Sequence, residues 1–212
     1  MVLAALGATF IMFGLAEHQT STANPTPTRE TPIARELAPP SRADGGQPAS
    51  KPNQKEPSAA PPKYLRIPAI GVATNVISLG LKSDKTVQVP KDASEAGWFK
   101  QGPPPGQLGS SVILGHVDST QGPAVFYQLR YLKPGNKISV RLSDGAIAHF
   151  KVARVATYAN ENFPATKVYA GSPGRPTLNL VTCGGEYIAD AGGYQSNVVA
   201  FTDYVRTTPR PT

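Results

Sequence analysis

The sequence contains a single cysteine, Cys183. One thiol cannot form an intrachain disulfide or supply a Cys-rich zinc site, so both are excluded. The three histidines, His18, His116 and His149, stand far apart without ligand spacing of the H-E-x-x-H kind, and no acidic cluster offers a calcium loop. No metal and no cofactor is therefore expected. Lys and Arg number 21 against 14 Asp and Glu, a net charge of +7. Along the sequence these cations are scattered rather than gathered into a stripe with interleaved aromatics, which argues against nucleic acid as a partner. The modest excess suits an anionic membrane surface or wall polymer, or serves solubility alone. Internal repeats and long helical periodicities are also missing, which excludes solenoids and βαβ folds.

What is present falls into segments of different composition. Residues 1–16, MVLAALGATFIMFGLA, carry no charge and read as a membrane anchor or signal segment. As a helix they reach about 24 Å, short of the roughly 30 Å hydrocarbon core, and they lack a basic flank, so an upstream continuation is expected. The expected location is the extracytoplasmic face of the cell membrane; Ser21-Thr22-Ala23 is a small-x-small site whose cleavage would give a secreted form instead. Residues 17–62 are rich in Pro, Ser, Thr and Ala, with Pro39-Pro40 and Pro61-Pro62. Such a stretch buries too little apolar surface to offset the entropy of ordering, so a disordered linker is expected.

Residues 63–207 form the folded domain, with 208–212 as a tail. Short apolar or alternating runs recur between Gly, Pro, Asp and Asn: 64–70, 72–79, 86–89, 111–117, 137–142, 147–157, 177–182 and 197–204. Their length, β-branched content and punctuation mark about eight strands, hence an all-β sandwich or barrel. Short helices are expected only at 125–132 and 164–169. Gly135-Asn136 and Ser143-Asp144-Gly145 are turn signals, and Trp98-Phe99 reads as core packing.

The buried-type strand Thr177–Thr182 runs into Cys183-Gly184-Gly185. Glycines are unfavourable inside a strand, so this layout places the thiol at a strand end, where backbone can approach a ligand closely. A second apolar strand, Leu114-Gly115-His116-Val117-Asp118, likewise ends in a polar residue. Alone, Cys183 reads as a small core residue and His116 as a satisfied structural histidine. Together they meet the minimum for acyl transfer: an imidazole that stabilises a thiolate and later protonates a leaving amine. His149 lies in an alternating run and reads as a strand residue; His18 lies outside the domain.

The motifs Leu114-Gly115-His116-Val117-Asp118-Ser119, Leu180-Val181-Thr182-Cys183-Gly184-Gly185 and Asn197-Val198-Val199, with Leu65-Arg66-Ile67-Pro68, resemble the sortase family, most closely the class F sortases of actinobacteria. The resemblance covers residues 63–205, with His about 65 residues before the Thr-Cys box. It implies an eight-stranded β-barrel with one or two short helices and cleavage of an LPXTG-type sorting signal between Thr and Gly. In that scheme Cys183 is the nucleophile, His116 the general acid and base, and an amine of a cell-wall precursor the acceptor. Thr182 and Asp118 become candidate substrate-binding residues, although Asp118 also reads as orienting the imidazole or capping the turn at Ser119.

One position departs from the family. Sortases carry an Arg about a dozen residues after the Cys, in class F within Tyr-Arg-Asp-Asn-Val-Val; here Tyr194-Gln195-Ser196-Asn197-Val198-Val199 puts Gln195 in its place. Losing an oxyanion donor of that kind costs about 2.7–4 kcal/mol of transition-state stabilisation. Gln195 takes the role, another Arg such as Arg206 or Arg130 reaches the site, or the protein is a weak or inactive sortase-fold module that binds peptides.

Overall fold

The structure is a computed structural model that describes residues 59–171 and 174–210. The proposed anchor 1–16 and nearly all of the linker lie outside these residues. Among the described residues no helix is long and apolar enough to cross a membrane. Packing begins at Ala60, which sits against the core, slightly before the expected start at Lys63.

In chain order the strands are β1 (Pro62–Ile67), β2 (Val72–Leu79), β3 (Ala96–Phe99), β4 (Gly109–Leu114), β5 (Asp118–Ser119), β6 (Gly122–Pro123), β7 (Lys137–Leu142), β8 (Ile147–Ala159), β9 (Pro176–Ile188) and β10 (Gly193–Thr208). Eight of them close a barrel in the order β1-β2-β3-β4-β9-β10-β8-β7, while β5 and β6 form a separate two-stranded ribbon. Neighbours are antiparallel except β2/β3 and β4/β9, which are parallel. The all-β barrel expected from the sequence is therefore the fold.

The alternation of β2 and β7 explains their faces. In Lys137-Ile138-Ser139-Val140-Arg141-Leu142 the apolar residues are fully buried and the residues between them are not, as period-two side-chain placement requires. Inward residues from all eight strands, among them Leu65, Val76, Trp98, Ile113, Leu180, Val198, Phe150 and Val140, make the barrel core. Phe126, Leu129 and Leu132, from the segment after β6, join it.

β4 and β9 are buried on both faces, as parallel neighbours with covered faces tend to be. Their outward residues Val112, Leu114 and Val181 form a second cluster with Leu79, Val168, Val199 and Phe201. Each such aliphatic contributes roughly 1.5–3 kcal/mol when fully buried. The cover is the turn Thr166–Ala170, pinned by a buried polar clamp. Asn179 Nδ2 donates to Ser110 Oγ (2.8 Å) and to the Val168 carbonyl (2.7 Å), and Ser110 Oγ donates to the same carbonyl (2.7 Å).

Three local expectations need correction. Residues 86–89 make only an isolated bridge between Leu81 and Val87, and the strand in that region is Ala96–Phe99. The two expected helices reduce to a 3₁₀ turn at Leu129–Tyr131 and the single turn at Thr166–Ala170. β9 does not stop at Cys183 but runs through both glycines to Ile188. A register shift against β10 lets it do so. It lies at Gly185, whose φ of +77° is the left-handed conformation that glycine adopts without steric cost. A Cβ there would also stand 2.7 Å from Ser196 Oγ.

Candidate active site

Cys183 and His116 are brought together by the parallel pairing of β4 with β9. Leu114 is the register partner of Val181, and Cys183 and His116 each lie two residues further along the chain. The ladder continues one step past β4, because Gly115 N–H donates to the Val181 carbonyl (3.1 Å). With a period of two, Cys183 shares the outward face of Val181, while His116 lies two residues past Leu114, beyond the end of β4. The thiol thus stands mid-strand in β9 but just beyond the end of β4, where the sheet opens. Glycine precedes His116 for a packing reason: a Cβ on Gly115 would lie 2.6 Å from Phe126 Cδ2 and 2.7 Å from Val125 Cγ1.

The imidazole is oriented by the β2–β3 connection. His116 Nε2 is 2.8 Å from the Pro90 carbonyl oxygen. A carbonyl only accepts, so Nε2 carries the hydrogen and Nδ1 is the nitrogen left to exchange a proton. Cys183 is half-buried, and burial pushes its thiol above the ordinary range, with the Asp118 carboxylate acting in the same direction. A backbone hydrogen bond to the sulfur opposes them more weakly. The resting Cys183 side chain is accordingly a neutral thiol rather than a thiolate.

A polar chain surrounds the thiol. Asn197 is the cross-strand partner of Cys183 on β10; its Nδ2 donates to Asn160 Oδ1 (2.8 Å), and Asn160 Nδ2 donates to the Tyr194 carbonyl (2.7 Å). The Tyr194 hydroxyl in turn donates to Asp118 Oδ2. Burial and this bond push the Tyr194 phenol up to about 12, which keeps it a donor. Tyr194 also stacks edge-to-face on Tyr187 at 5.2 Å, so the hairpin formed by the end of β9 and the start of β10 extends past the thiol as a two-tyrosine flap. Tyr187 is well exposed on it.

The remaining sequence candidates occupy different places. Asp118 does not cap the turn at Ser119; Ser119 Oγ does so by accepting from Gln121 N–H (3.1 Å), while the Asp118 carboxylate faces Tyr194. Thr182 pairs with Val198 and follows Leu180, both in the barrel core, so its hydroxyl points inward, buried and without a partner. Gln195 lies opposite the β9 bulge at the mouth of the site, but its amide Nε2 donates to the Gly193 carbonyl and, at 3.5 Å, to that of Ala191. Both alternative Arg residues are engaged in other contacts. Arg206 pairs with His149 near the other end of β10, and Arg130 stacks over Tyr127 and Tyr131 at 5.5 and 4.9 Å. His149 bonds Thr208 Oγ1 at 3.2 Å, as a strand residue.

Sequence reasoning missed Pro90 and Asn160 as site residues, and quoted Tyr194 and Asn197 only within motifs. No local signal marks Pro90 or Asn160. For Asn197 the signal was an amide in an otherwise apolar run.

Removing the Asp118 charge should lower the Cys183 pKa, because that charge disfavours the thiolate. In Asp118→Asn the pH profile of iodoacetamide alkylation at Cys183 should therefore move to lower pH. An unmoved profile would show that burial alone holds the thiol up.

A closed eight-stranded barrel with a thiol and an imidazole at the open edge of its β4/β9 pair defines a class of β-barrel proteins with a cysteine–histidine site. Residues 65–205 match the Sortase domain model, and the chain belongs to the sortase family, a family of transpeptidases. Solved structures share the fold. Sortase C-1 from Actinomyces oris superposes with a TM-score of 0.52 at 20% identity, over 68% of this chain and 73% of that one. Sortase A from Listeria monocytogenes gives 0.54 at 15% identity, over 73% and 93%. Sortase A from Corynebacterium diphtheriae gives 0.54 at 18%, over 76% and 66%. Comparison with curated proteins gives no match.

Proposed function

We propose that the protein is a cysteine transpeptidase that cleaves an LPXTG-type sorting signal between Thr and Gly and passes the acyl group to an amine of the cell envelope. The observation that carries this reading is the register of β4 on β9: Leu114 pairs with Val181, and His116 and Cys183 each follow that pair by two residues in the chain. Cys183 Sγ attacks the Thr carbonyl as its proton moves to His116 Nδ1. The tetrahedral adduct collapses, the C–N bond breaks, and the same proton leaves on the Gly amine. An incoming amine then attacks the thioester, gives up a proton through Nδ1, and releases the thiol. Splitting one amide exchange into two steps is what a covalent nucleophile offers. Residues 1–16 would hold the domain at the extracytoplasmic face.

A second reading is favoured by Gln195, an uncharged residue at the expected Arg position whose amide is turned onto the carbonyls of its own hairpin. It is a sortase-fold module that binds sorting peptides without turnover. Incubation with an LPXTG peptide and triglycine, followed by mass spectrometry, separates the two. A ligated product, absent with Cys183→Ala, supports the transpeptidase; peptide binding with neither product nor thioester would leave the binding module.

A further inference from the structure

The outward face of β1, β7, β8 and the end of β10 lies across the barrel from Cys183, since β4 and β9 adjoin on one side of the ring and β7 closes on β1 at the other. Arg66, Lys137, Lys151 and Arg206 surround a concavity of about 270 Å³ on this face, with Ser139 and His149 also lining it. Register makes the arrangement regular. Arg66, Ser139, His149 and Arg206 form one row across four strands, and Lys137 and Lys151 stand opposite each other in the next. A second concavity of about 380 Å³ on the same side is rimmed by Lys63, Arg141 and Arg210, with Asp144 beside them.

Like charges directly opposite on a sheet are destabilising, and here no described carboxylate forms an ion pair with any of the four cations of the first concavity. Asp203, the register partner of Lys151, bonds Arg175 instead at 3.5 Å. Arg66 to Arg206 spans three strand spacings, about 14 Å, and the row of Arg141 adds a further two residues, about 7 Å. One phosphate cannot cover such a stripe, while a chain of anions can. Its concave floor suits a strand of polymer better than a flat bilayer, and the guanidinium forks of Arg66 and Arg206 match phosphate oxygens.

We propose that this face is a docking groove for an extended phosphodiester polymer, which holds the domain with Cys183 directed away from the polymer. The test is fluorescence anisotropy with labelled poly(glycerol phosphate). Binding should weaken steeply with added NaCl. Arg66→Glu with Lys151→Glu should lose at least about tenfold, whereas Lys100→Glu with Arg130→Glu, an equal change in net charge elsewhere, should stay within about twofold. The milder Arg66→Gln with Lys151→Gln pair guards against misfolding and should weaken binding in the same sense, with circular dichroism confirming the fold. Equal losses in the two Glu pairs would reduce the effect to net charge. Binding to phosphatidylglycerol vesicles but not to the polymer would make the face a membrane contact. Either result, or no binding by the unaltered protein, overturns the proposal.

Discussion

Alanine at Cys183 or at His116 should each lower kcat for peptide-to-amine transfer by at least about 10³-fold, and the double variant should be no slower than the worse single one. In the proposed mechanism the two groups act as one device. The Cys183 thiol is held up by burial and by Asp118, so without a base little thiolate exists at neutral pH, and without the thiol the base has nothing to activate. His116 Nε2 is committed to the Pro90 carbonyl, which leaves a single nitrogen for both proton transfers. Steady-state rates of the three variants measure the point directly. Additive losses would mean that the residues act independently and that the proposed division of roles is wrong. A His116→Ala variant that still accumulates thioester would locate the histidine in the second half-reaction alone.

Gln195→Arg is expected to raise kcat/KM by roughly 10²-fold, the value of one charged oxyanion donor. Position 195 lies on β10 two residues before Asn197, the cross-strand partner of Cys183. Gln195 is short enough to fold onto the carbonyls of Gly193 and Ala191; an arginine has the length to pass them and reach the developing oxyanion. The gain should appear in kcat more than in KM, because the interaction forms in the transition state. Gln195→Ala is the companion measurement. If alanine is as active as glutamine, the amide contributes nothing to the oxyanion; if arginine does no better than glutamine, the donor lies elsewhere.

Much of the barrel was legible because β7, and β8 from Ala148 to Val152, alternate between apolar and polar residues, and alternation is a local property. The strand Ala96–Phe99 was not, since four residues that include Gly97 carry little strand propensity. They become a strand by lying between β2 and β4. The continuation of β9 beyond Cys183 was hidden for a related reason. Two glycines oppose a strand, and only the bulge at Gly185 reconciles them with one. In the site, the Thr-Cys box and the Gly-His pair could be read from residue order alone. The Tyr194–Asp118 bond joins residues 76 apart, and the fate of Gln195 depends on how its own hairpin turns; neither leaves a trace in the sequence.

The parallel pairing of β4 with β9 also governs when the site can exist. Parallel neighbours cannot be joined by a tight hairpin, and Leu114 and Val181 meet only after the ribbon, β7, β8 and the covering turn have been traversed. Contacts of such sequence separation form slowly, because loop closure must precede any gain from them. A chain that has not yet closed its barrel therefore carries its thiol and its imidazole apart. Reactivity at Cys183 should arrive late in folding, together with closure of the barrel, so that the onset of activity is itself a clock for completion of the fold.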